Sequence, residues 1–155
     1  MMFRLGLTGS IGMGKTTTAQ MFVDEGCALW DADAAVHRLY ASGGAAVAPI
    51  RALFPDAIRN DAVSRAALRE IIGKNPAALQ QIEAVVHPLV AADRADFVAH
   101  TQADIIVFDI PLLFETGGNA EMDAVACVTV PADVQEQRVL ERGTMTRADF
   151  EKIRA

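Results

Sequence analysis

A glycine-rich stretch near the amino terminus constrains the fold of this chain more than any other feature. Residues 9–16 read Gly-Ser-Ile-Gly-Met-Gly-Lys-Thr, which fits the phosphate-loop pattern G-x-x-x-x-G-K-S/T. A strand pattern at 3–8 precedes the loop, and a helical pattern at 15–26 follows it. Glycines let the backbone curl so that N–H groups point at phosphate oxygens, beside the positive end of a helix. The context predicts a nucleotide site rather than a strand-to-helix turn that contains Lys-Thr by chance.

Each part of the loop has an expected contact with the nucleotide. We expect Lys15 to contact the β- and γ-phosphates and Thr16 to hold a magnesium ion. Main-chain groups supply most of the other contacts. The expected nucleotide-binding residues are Gly9, Ser10, Ile11, Gly12, Met13, Gly14, Lys15, Thr16 and Thr17.

Length and charge limit the classes of protein that fit this sequence. The 155 residues amount to one domain, with 52% hydrophobic and 22% charged residues, which is near the globular norm. A net charge of −6 argues against broad binding to nucleic acid or acidic membrane, although a local nest of N–H groups still suits ATP. The sequence has no run of about 18 apolar residues and no signal-peptide pattern. We therefore expect a cytoplasmic protein with no membrane partner.

Alternating strand and helix patterns predict an α/β fold built on a parallel sheet. After the first strand, three apolar runs have the pattern of buried strands, at 27–30, 104–110 and 123–130. A helix is predicted at 132–142, ended by Gly143, and Thr146 with Asp149 has the spacing of a capping box that begins another. The chain ends at Ala155 inside that last helix, so we expect part of the domain to be missing.

Residues 42–101 carry helical patterns and no strand signal. The helices are predicted at 46–54, 64–72, 76–86 and 88–99. Asn75-Pro76 fits an N-cap with proline at the first helical position. His87-Pro88 is expected to break the next helix, where His87 is either a neutral helix-end residue or a functional one. This is more chain than one crossover needs, so we interpret it as an inserted helical subdomain.

The chain has two cysteines, Cys27 and Cys127. Both lie in apolar strand patterns, so we expect buried free thiols. Neither has the CxxC or His-paired spacing of a metal or redox site.

Several carboxylates follow predicted strands, at the edge where open α/β sheets place ligands. Asp33 is our candidate to orient an acceptor hydroxyl or take its proton, although it could instead cap the helix that begins there. Asp31 is its rival, which we interpret as the cap or as a partner of a magnesium-bound water. Asp109 has the position of a Walker-B-like carboxylate for such a water, although strands often end with a solvated aspartate. Glu115 follows as a further candidate.

Basic residues cluster near the end of this acidic chain. Arg138 and Arg142 are one helical turn apart and share a face, and Arg147 adds a third guanidinium group. Guanidinium groups suit phosphate recognition, and a mobile segment could carry them over a transferred phosphoryl group. The alternative is that these arginines lie on a solvent-exposed helix face and form ion pairs with Glu136 and Glu141.

A phosphate loop indicates a nucleotide but not a reaction. A GTPase would need D-x-x-G and N-K-x-D motifs after the loop, and neither occurs in this sequence. The hypotheses that remain are a small-molecule kinase and a nucleotide-binding module without turnover.

Five motifs, in order along the whole chain, resemble those of the dephospho-coenzyme A kinase family. They are the segment 7–16, Asp31-Ala32-Asp33, His87-Pro88, Pro111-Leu112-Leu113-Phe114-Glu115, and Gln135 with Arg138 and Arg142. The resemblance implies transfer of the γ-phosphoryl group of ATP, with Mg²⁺, to the ribose 3′-hydroxyl of dephospho-CoA, the last step of coenzyme A synthesis. It also implies a three-layer P-loop α/β fold like that of nucleoside-monophosphate kinases, with the helical substrate subdomain at about 42–101 and a lid at about 138–155.

The resemblance also implies roles for individual residues. Asp33 matches the proposed catalytic base of the family. The other implied roles are Lys15 and Arg142 in catalysis, Arg138 at the nucleotide, His87, Leu112 and Glu115 with Asp33 at the acceptor, and Thr16 and Asp109 at magnesium. Members of the family continue beyond the lid helix with a further strand and helix, so we expect this chain to be C-terminally incomplete.

The resemblance leaves partners and alternatives to be tested. We expect dephospho-CoA as the small-molecule partner of a monomer or weak homo-oligomer that does not bind nucleic acid. A P-loop kinase for another small metabolite or for a nucleoside monophosphate is one alternative. A non-catalytic nucleotide-binding module is the other.

Overall fold

The computed structural model describes residues 1–9, 14–111, 113, 117–143 and 146–154. The strands are β1 (Phe3–Gly9), β2 (Ala28–Asp31), β3 (Ile58–Arg59), β4 (Ala62–Val63), β5 (Ile105–Asp109) and β6 (Ala124–Val128). The α-helices are α1 (Lys15–Asp24), α2 (Ala32–Tyr40), α3 (Val47–Leu53), α4 (Arg65–Lys74), α5 (Ala78–His100), α6 (Ala132–Glu141) and α7 (Arg147–Arg154). Short 3₁₀ helices cover Pro55–Ala57 and Gly118–Glu121. Within these ranges, no helix has both the length and the apolar character needed to cross a membrane.

A parallel sheet forms from the apolar runs that the sequence placed in strands. Its order is β2-β5-β1-β6, and β1 pairs in parallel with both β5 and β6. Leu7, Val107 and Phe108 are at most 1% exposed, so burial of their side chains stabilises the central strands. The register sets Leu7 opposite Asp109, which brings the carboxyl ends of β1 and β5 to the same edge. The predicted α/β fold with a parallel sheet is confirmed.

The chain divides into two compact units, Met1–Leu29 with Gln102–Ala155 and Trp30–Thr101. The core of the first unit includes Leu7, Ala19 and Val107. The core of the second unit is larger and includes Leu39, Ala46, Val47, Ile50, Ala57, Val63, Leu68, Ile82 and Val86. The second unit begins earlier than the helical subdomain that the sequence placed at about 42–101, because it also contains α2.

The second unit contains a small hairpin that the sequence analysis missed. β3 and β4 pair in antiparallel fashion, with Ile58 opposite Val63, so the expectation of no strand in 42–101 is wrong. Asn60 and Asp61 connect the two strands with φ angles of 51° and 60°. Strands of two residues are too short to show an alternating pattern. The Asn-Asp pair, which tolerates positive φ, was the available signal.

The break expected at His87-Pro88 is also wrong, because α5 continues through both residues. Pro88 lacks the N–H that would donate to the carbonyl of Ala84, so the helix loses one hydrogen bond there. Ala84, His87 and Pro88 are exposed, and water can satisfy a carbonyl at an exposed position. Ile82 and Val86 of the same helix are buried, and their packing holds the helix together across the missing bond.

Two helix starts test the predicted caps. Thr146 Oγ1 accepts a hydrogen bond from the main-chain N–H of Asp149 over 3.2 Å, so the predicted start of α7 is confirmed. Asn75 Oδ1 accepts from the N–H of Ala77 over 3.3 Å. The helix itself begins at Ala78, later than the predicted start at 76.

The two cysteines are less buried than expected. Cys27 is partly exposed and Cys127 is exposed, so the expectation of two buried thiols is wrong. Cys127 lies in β6, which is the edge strand in the described sheet. An apolar run at the edge of a sheet leaves part of its surface uncovered, which its sequence alone does not reveal.

Candidate active site

The end of β1 and the start of α1 flank the predicted phosphate loop. Gly9 is the last residue of β1, and Gly14 is the N-cap of α1 with a φ of 83°. This left-handed conformation favours glycine, because a side chain there would be strained. The loop residues between them lie outside the described residues, so their predicted contacts stay predictions: Ser10, Ile11, Gly12 and Met13.

Lys15 and Asp109 form an ion pair at this edge of the sheet. Lys15 Nζ lies 2.8 Å from Asp109 Oδ1. Lys15 is the first residue of α1, and Asp109 is the last residue of β5. The Asp109 side chain is 9% exposed and that of Lys15 is 20% exposed, so the pair is largely shielded from water. The two residues that the sequence assigned to phosphate and to magnesium are therefore direct neighbours.

Thr16 and Asp109 offer oxygen ligands of the kind that Mg²⁺ prefers. Thr16 follows Lys15 in the first turn of α1 and is exposed, as is Thr17. In the described ranges, no group of three or more His, Cys, Asp and Glu side chains is arranged to hold a metal ion. Mg²⁺ at nucleotide sites takes only one or two protein ligands and completes its shell with water and phosphate oxygens. A hydroxyl and a carboxylate therefore fit this ion.

Arg138 lies against the end of the phosphate loop. A Cβ added to Gly14 would be 3.1 Å from Arg138 Nη1, which places this guanidinium group beside the start of α1. Arg142 is exposed at the C-cap of α6, one turn further along. Arg147 forms an ion pair with Glu136, so the alternative of a solvated pairing face holds for this third arginine. The three arginines therefore differ in their neighbours: Arg138 lies beside Gly14, and Arg147 pairs with Glu136.

Asp31 caps α2, as the sequence analysis preferred. Its Oδ1 accepts hydrogen bonds from the main-chain N–H groups of Asp33, over 2.8 Å, and Ala34, over 3.2 Å. Asp33 lies in the first turn of α2 and is exposed. Because Asp31 fills the capping role, that alternative explanation of Asp33 is removed.

The second unit contains a cavity of about 530 Å³, which is the size of many small-molecule sites. His87 lines it, so one predicted acceptor-side residue borders an open space. Most of the wall is apolar, and its charged side chains are those of Arg65, Arg69 and Glu83. The lining residues are Val36, Tyr40, Arg65, Leu68, Arg69, Ile72, Leu79, Ile82, Glu83, Val86 and His87.

Helix α2 connects this cavity to Asp33. Val36 and Tyr40, which both line the cavity, lie one and two turns after Asp33 on the same face of α2. Asp33 therefore lies at the amino-terminal end of the helix face that forms one wall. His87 and Asp33, which the sequence analysis connected only through a family resemblance, belong to the same compact unit, and His87 lines the cavity.

Tyr40 and Arg65 contact each other in the cavity wall. Arg65 Cζ lies 5.5 Å from the centroid of the Tyr40 ring, a cation–π distance. Burial raises the pKa of the Tyr40 hydroxyl, and the charge of Arg65 offsets part of that rise. Tyr40 therefore stays neutral at physiological pH and presents a hydroxyl that can donate or accept a hydrogen bond.

The sequence analysis missed the cationic residues of the cavity. Arg65 and Arg69 are one turn apart in α4, and this spacing was visible in the sequence. The spacing alone is common on solvated helices, so it does not indicate a ligand. Leu112 and Glu115, which were expected at the acceptor, lie outside the described residues.

Comparison with known proteins gives a consistent set of relatives. Residues 3–155 match the family model CoaE, dephospho-CoA kinase. A dephospho-CoA kinase from Ruegeria pomeroyi is 74% identical over 155 residues, which cover 100% of this chain and 79% of that protein. One from Cereibacter sphaeroides is 63% identical over 153 residues, covering 99% and 78%. The crystal structure of TT1252 from Thermus thermophilus has a TM-score of 0.86 at 29% identity, covering 99% of this chain and 78% of that one.

Proposed function

Because this chain belongs to the dephospho-CoA kinase family, we propose that it transfers the γ-phosphoryl group of ATP to dephospho-CoA. It is an ATP-dependent phosphotransferase of coenzyme A biosynthesis. The observation that carries this conclusion is the family match over residues 3–155. The ion pair of Lys15 with Asp109 supports it, because the pair lies at the sheet edge where a P-loop enzyme binds its nucleotide.

ATP binds, in this proposal, at the amino end of α1. Main-chain N–H groups from Gly9 to Thr17 surround the phosphates, and Lys15 moves its ammonium group from Asp109 to the β- and γ-phosphates. Arg138, beside Gly14, adds a second positive charge. Arg142 contacts the transferred phosphoryl group when a lid formed by 138–155 closes.

Thr16 Oγ1 would hold Mg²⁺ directly, and Asp109 would hold it through a bound water. When bound, the ion neutralises charge on the β- and γ-phosphates during transfer. Asp109 then serves two partners in turn, the Lys15 ammonium group before nucleotide binds and the hydrated ion afterwards.

Asp33 receives the proton of the acceptor hydroxyl, which is the 3′-hydroxyl of the ribose. As the hydroxyl oxygen bonds to the γ-phosphorus, the bond to the β,γ-bridging oxygen breaks and ADP leaves. Phosphoryl transfer depends mostly on position and electrostatics, so a carboxylate needs only to be well placed. The exposure of Asp33, and the capping of α2 by Asp31 instead, support this role.

Dephospho-CoA occupies the cavity of the second unit in this proposal. The molecule combines adenosine and a diphosphate with a long pantetheine arm. The apolar wall suits the arm, and Arg65 and Arg69 suit the diphosphate, because guanidinium groups bind phosphate oxygens in pairs. His87 and Tyr40, which also line the cavity, supply hydrogen-bonding groups. Leu112 and Glu115 stay candidates for contacts with the acceptor, on the family resemblance.

Mass spectrometry tests the activity directly. Incubation of the chain with Mg-ATP and dephospho-CoA should give CoA and ADP. The variants Lys15→Ala and Asp33→Asn should form neither product at a comparable rate. Phosphorylation of AMP or another small metabolite, with dephospho-CoA left unchanged, would favour a different P-loop kinase. ATP binding without any product would favour the non-catalytic module.

The cavity is tested with a matched pair of arginine variants. Arg69→Ala should raise the KM for dephospho-CoA about 10- to 100-fold and leave the KM for ATP unchanged, since it removes one phosphate contact worth about 1.5–3 kcal/mol. Arg51→Ala is the control, because Arg51 is an exposed arginine that pairs with Asp61 and does not line the cavity. Equal KM values for the two variants would exclude the cavity as the acceptor site.

Location and assembly complete the proposal. We place the enzyme in the cytoplasm, as a monomer or weak homo-oligomer that binds no nucleic acid. Sedimentation velocity at several concentrations would test the assembly, and cell fractionation would test the location.

A further inference from the structure

Asp93 of α5 accepts hydrogen bonds from two separate elements of the second unit. Trp30 Nε1 donates to Asp93 Oδ2 over 2.9 Å, and Arg38 Nη2 donates to the same oxygen over 2.7 Å. Trp30 is the last residue but one of β2, and Arg38 lies in the last turn of α2. Asp33 lies between them in the sequence. One carboxylate therefore anchors both ends of the segment that carries the proposed base.

This cluster is partly sheltered from water. Trp30 is 2% exposed, and the Asp93 side chain is 23% exposed. The guanidinium carbon of Arg94 lies 6.0 Å from the centroid of the Trp30 ring. Burial raises the pKa of Asp93, but the hydrogen bonds from Arg38 and Trp30 lower it by more, so the group is ionised at neutral pH. Hydrogen bonds to an ionised carboxylate are about twice as strong as those between neutral groups.

We propose that Asp93 is a positioning residue for phosphoryl transfer, holding Trp30 and Arg38 so that α2 presents Asp33 to the acceptor hydroxyl. Asp93 does not touch the reacting atoms. It acts through the main chain on either side of Asp33, and this inference rests on the proposed function. A misplacement of about 1 Å at a reacting group lowers a rate about 100-fold, so a contact that fixes this segment affects turnover strongly.

Two variants of Asp93 separate its charge from its acceptor atom. Asp93→Asn keeps an oxygen that can accept from Trp30 and loses the charge that holds Arg38. Asp93→Ala loses both interactions. We expect kcat for dephospho-CoA phosphorylation to fall about tenfold in the first and about 100-fold in the second, with the KM for ATP unchanged. Asp96→Asn is the control, because Asp96 is an exposed residue of the same helix whose carboxylate lies near His100.

The indole of Trp30 provides a second readout, because it is the only tryptophan in the chain. In Asp93→Ala the emission of Trp30 should shift to longer wavelength, since the ring loses its anchor and gains access to water. Trp30→Phe, which keeps an aromatic ring and removes the N–H donor, should lower kcat to a similar extent as Asp93→Asn. Combining these two substitutions should cost less than the sum of the separate losses, because both remove parts of one network.

Assays are run where urea titration shows each variant to be fully folded, so that lost activity does not reflect unfolding. If Asp93→Ala does not fold, Asp93→Asn and Trp30→Phe carry the test.

Wild-type kcat in folded Asp93→Asn and Trp30→Phe would overturn the positioning role, and so would an equal loss in Asp96→Asn. A wild-type chain that makes no CoA would overturn the proposed function itself, and the positioning role with it. A wild-type chain that makes CoA, with Asp33→Asn inactive and the Asp93 and Trp30 variants unaffected, would overturn only the positioning role.

Discussion

Lys15 Nζ lies 2.8 Å from Asp109 Oδ1, so the first residue of α1 and the last residue of β5 are joined by an ion pair. The two residues are far apart in the sequence, and the parallel pairing of β1 with β5 brings them together. In the proposed mechanism the same ammonium group binds phosphate. In that mechanism the pair holds the lysine side chain near the phosphate site until a nucleotide replaces the carboxylate as its partner.

Removal of the lysine should affect stability as well as turnover. Lys15→Met leaves the Asp109 carboxylate, 9% exposed, without its cationic partner and should lower the free energy of unfolding by about 1–3 kcal/mol. Adding Asp109→Asn should recover part of that loss, because the uncompensated charge disappears. Urea titration of the two single variants and the double variant measures the coupling. Strictly additive losses would contradict a direct interaction.

Asp109→Asn should raise the Mg²⁺ concentration needed for half-maximal activity. The amide keeps the shape of the side chain but attracts a hydrated cation less strongly than a carboxylate does. Titration of activity with Mg²⁺ at saturating ATP measures the shift. Asp104→Asn, an exposed position just before the same strand, is the control and should leave the Mg²⁺ requirement unchanged. Identical titrations for both variants would remove Asp109 from the proposed magnesium site.

Substitutions of the two aspartates at the start of α2 should affect different properties, stability in one case and turnover in the other. Asp31→Ala removes the cap that accepts from the N–H groups of Asp33 and Ala34, and should lower the free energy of unfolding by about 1 kcal/mol. Asp33→Asn should abolish CoA formation and leave stability nearly unchanged, because Asp33 is exposed. Activity assays and urea titration of both variants give the comparison. A stability loss in Asp33→Asn as large as that in Asp31→Ala would indicate a structural role for Asp33.

Acid should remove the stabilising effect of Asp93. Its pKa in the folded chain lies below the ordinary value of 3.8, because hydrogen bonds from Arg38 and Trp30 outweigh burial. The stabilisation is therefore present above that ordinary value and is lost as the pH falls through the lower, folded-state pKa. The difference in free energy of unfolding between wild type and Asp93→Asn should be constant from about pH 5 to pH 7 and shrink towards about pH 3. A difference that grows in acid would contradict the direction of the shift.

Pro88→Ala should stabilise the protein. Alanine restores the N–H that can donate to the carbonyl of Ala84 within α5, and both positions are exposed. Proline in a helix interior costs about 3 kcal/mol relative to alanine, so we expect a gain of about 1–3 kcal/mol in the free energy of unfolding. Pro55→Ala is the control, because Pro55 is the first residue of a 3₁₀ helix, where a missing N–H costs little. Equal effects at the two positions would exclude this explanation.

Local signals in the sequence identified most of the elements that carry the site. The strand before the loop, the helix that begins at Lys15 and the cap at Asp31 were all predicted, because glycine spacing, apolar periodicity and an aspartate at a strand end act over a few residues. The hairpin of β3 and β4 and the continuity of α5 through Pro88 were not predicted. The hairpin was missed because strands of two residues show no alternating pattern. The helix continues through Pro88 because packing of the buried Ile82 and Val86 outweighs the local preference of proline.

A phosphate-loop motif, a parallel sheet and an aspartate beside a second strand, Asp33, could be predicted from residue types at short spacing. Tertiary structure decided which groups meet: the carboxylate of Asp109 with Lys15, that of Asp93 with Trp30 and Arg38, and the wall of the cavity with His87. Such contacts depend on strand register and helix packing between residues that are far apart in the chain. The free energy that fixes them comes from burial of the whole core, and no local pattern encodes it.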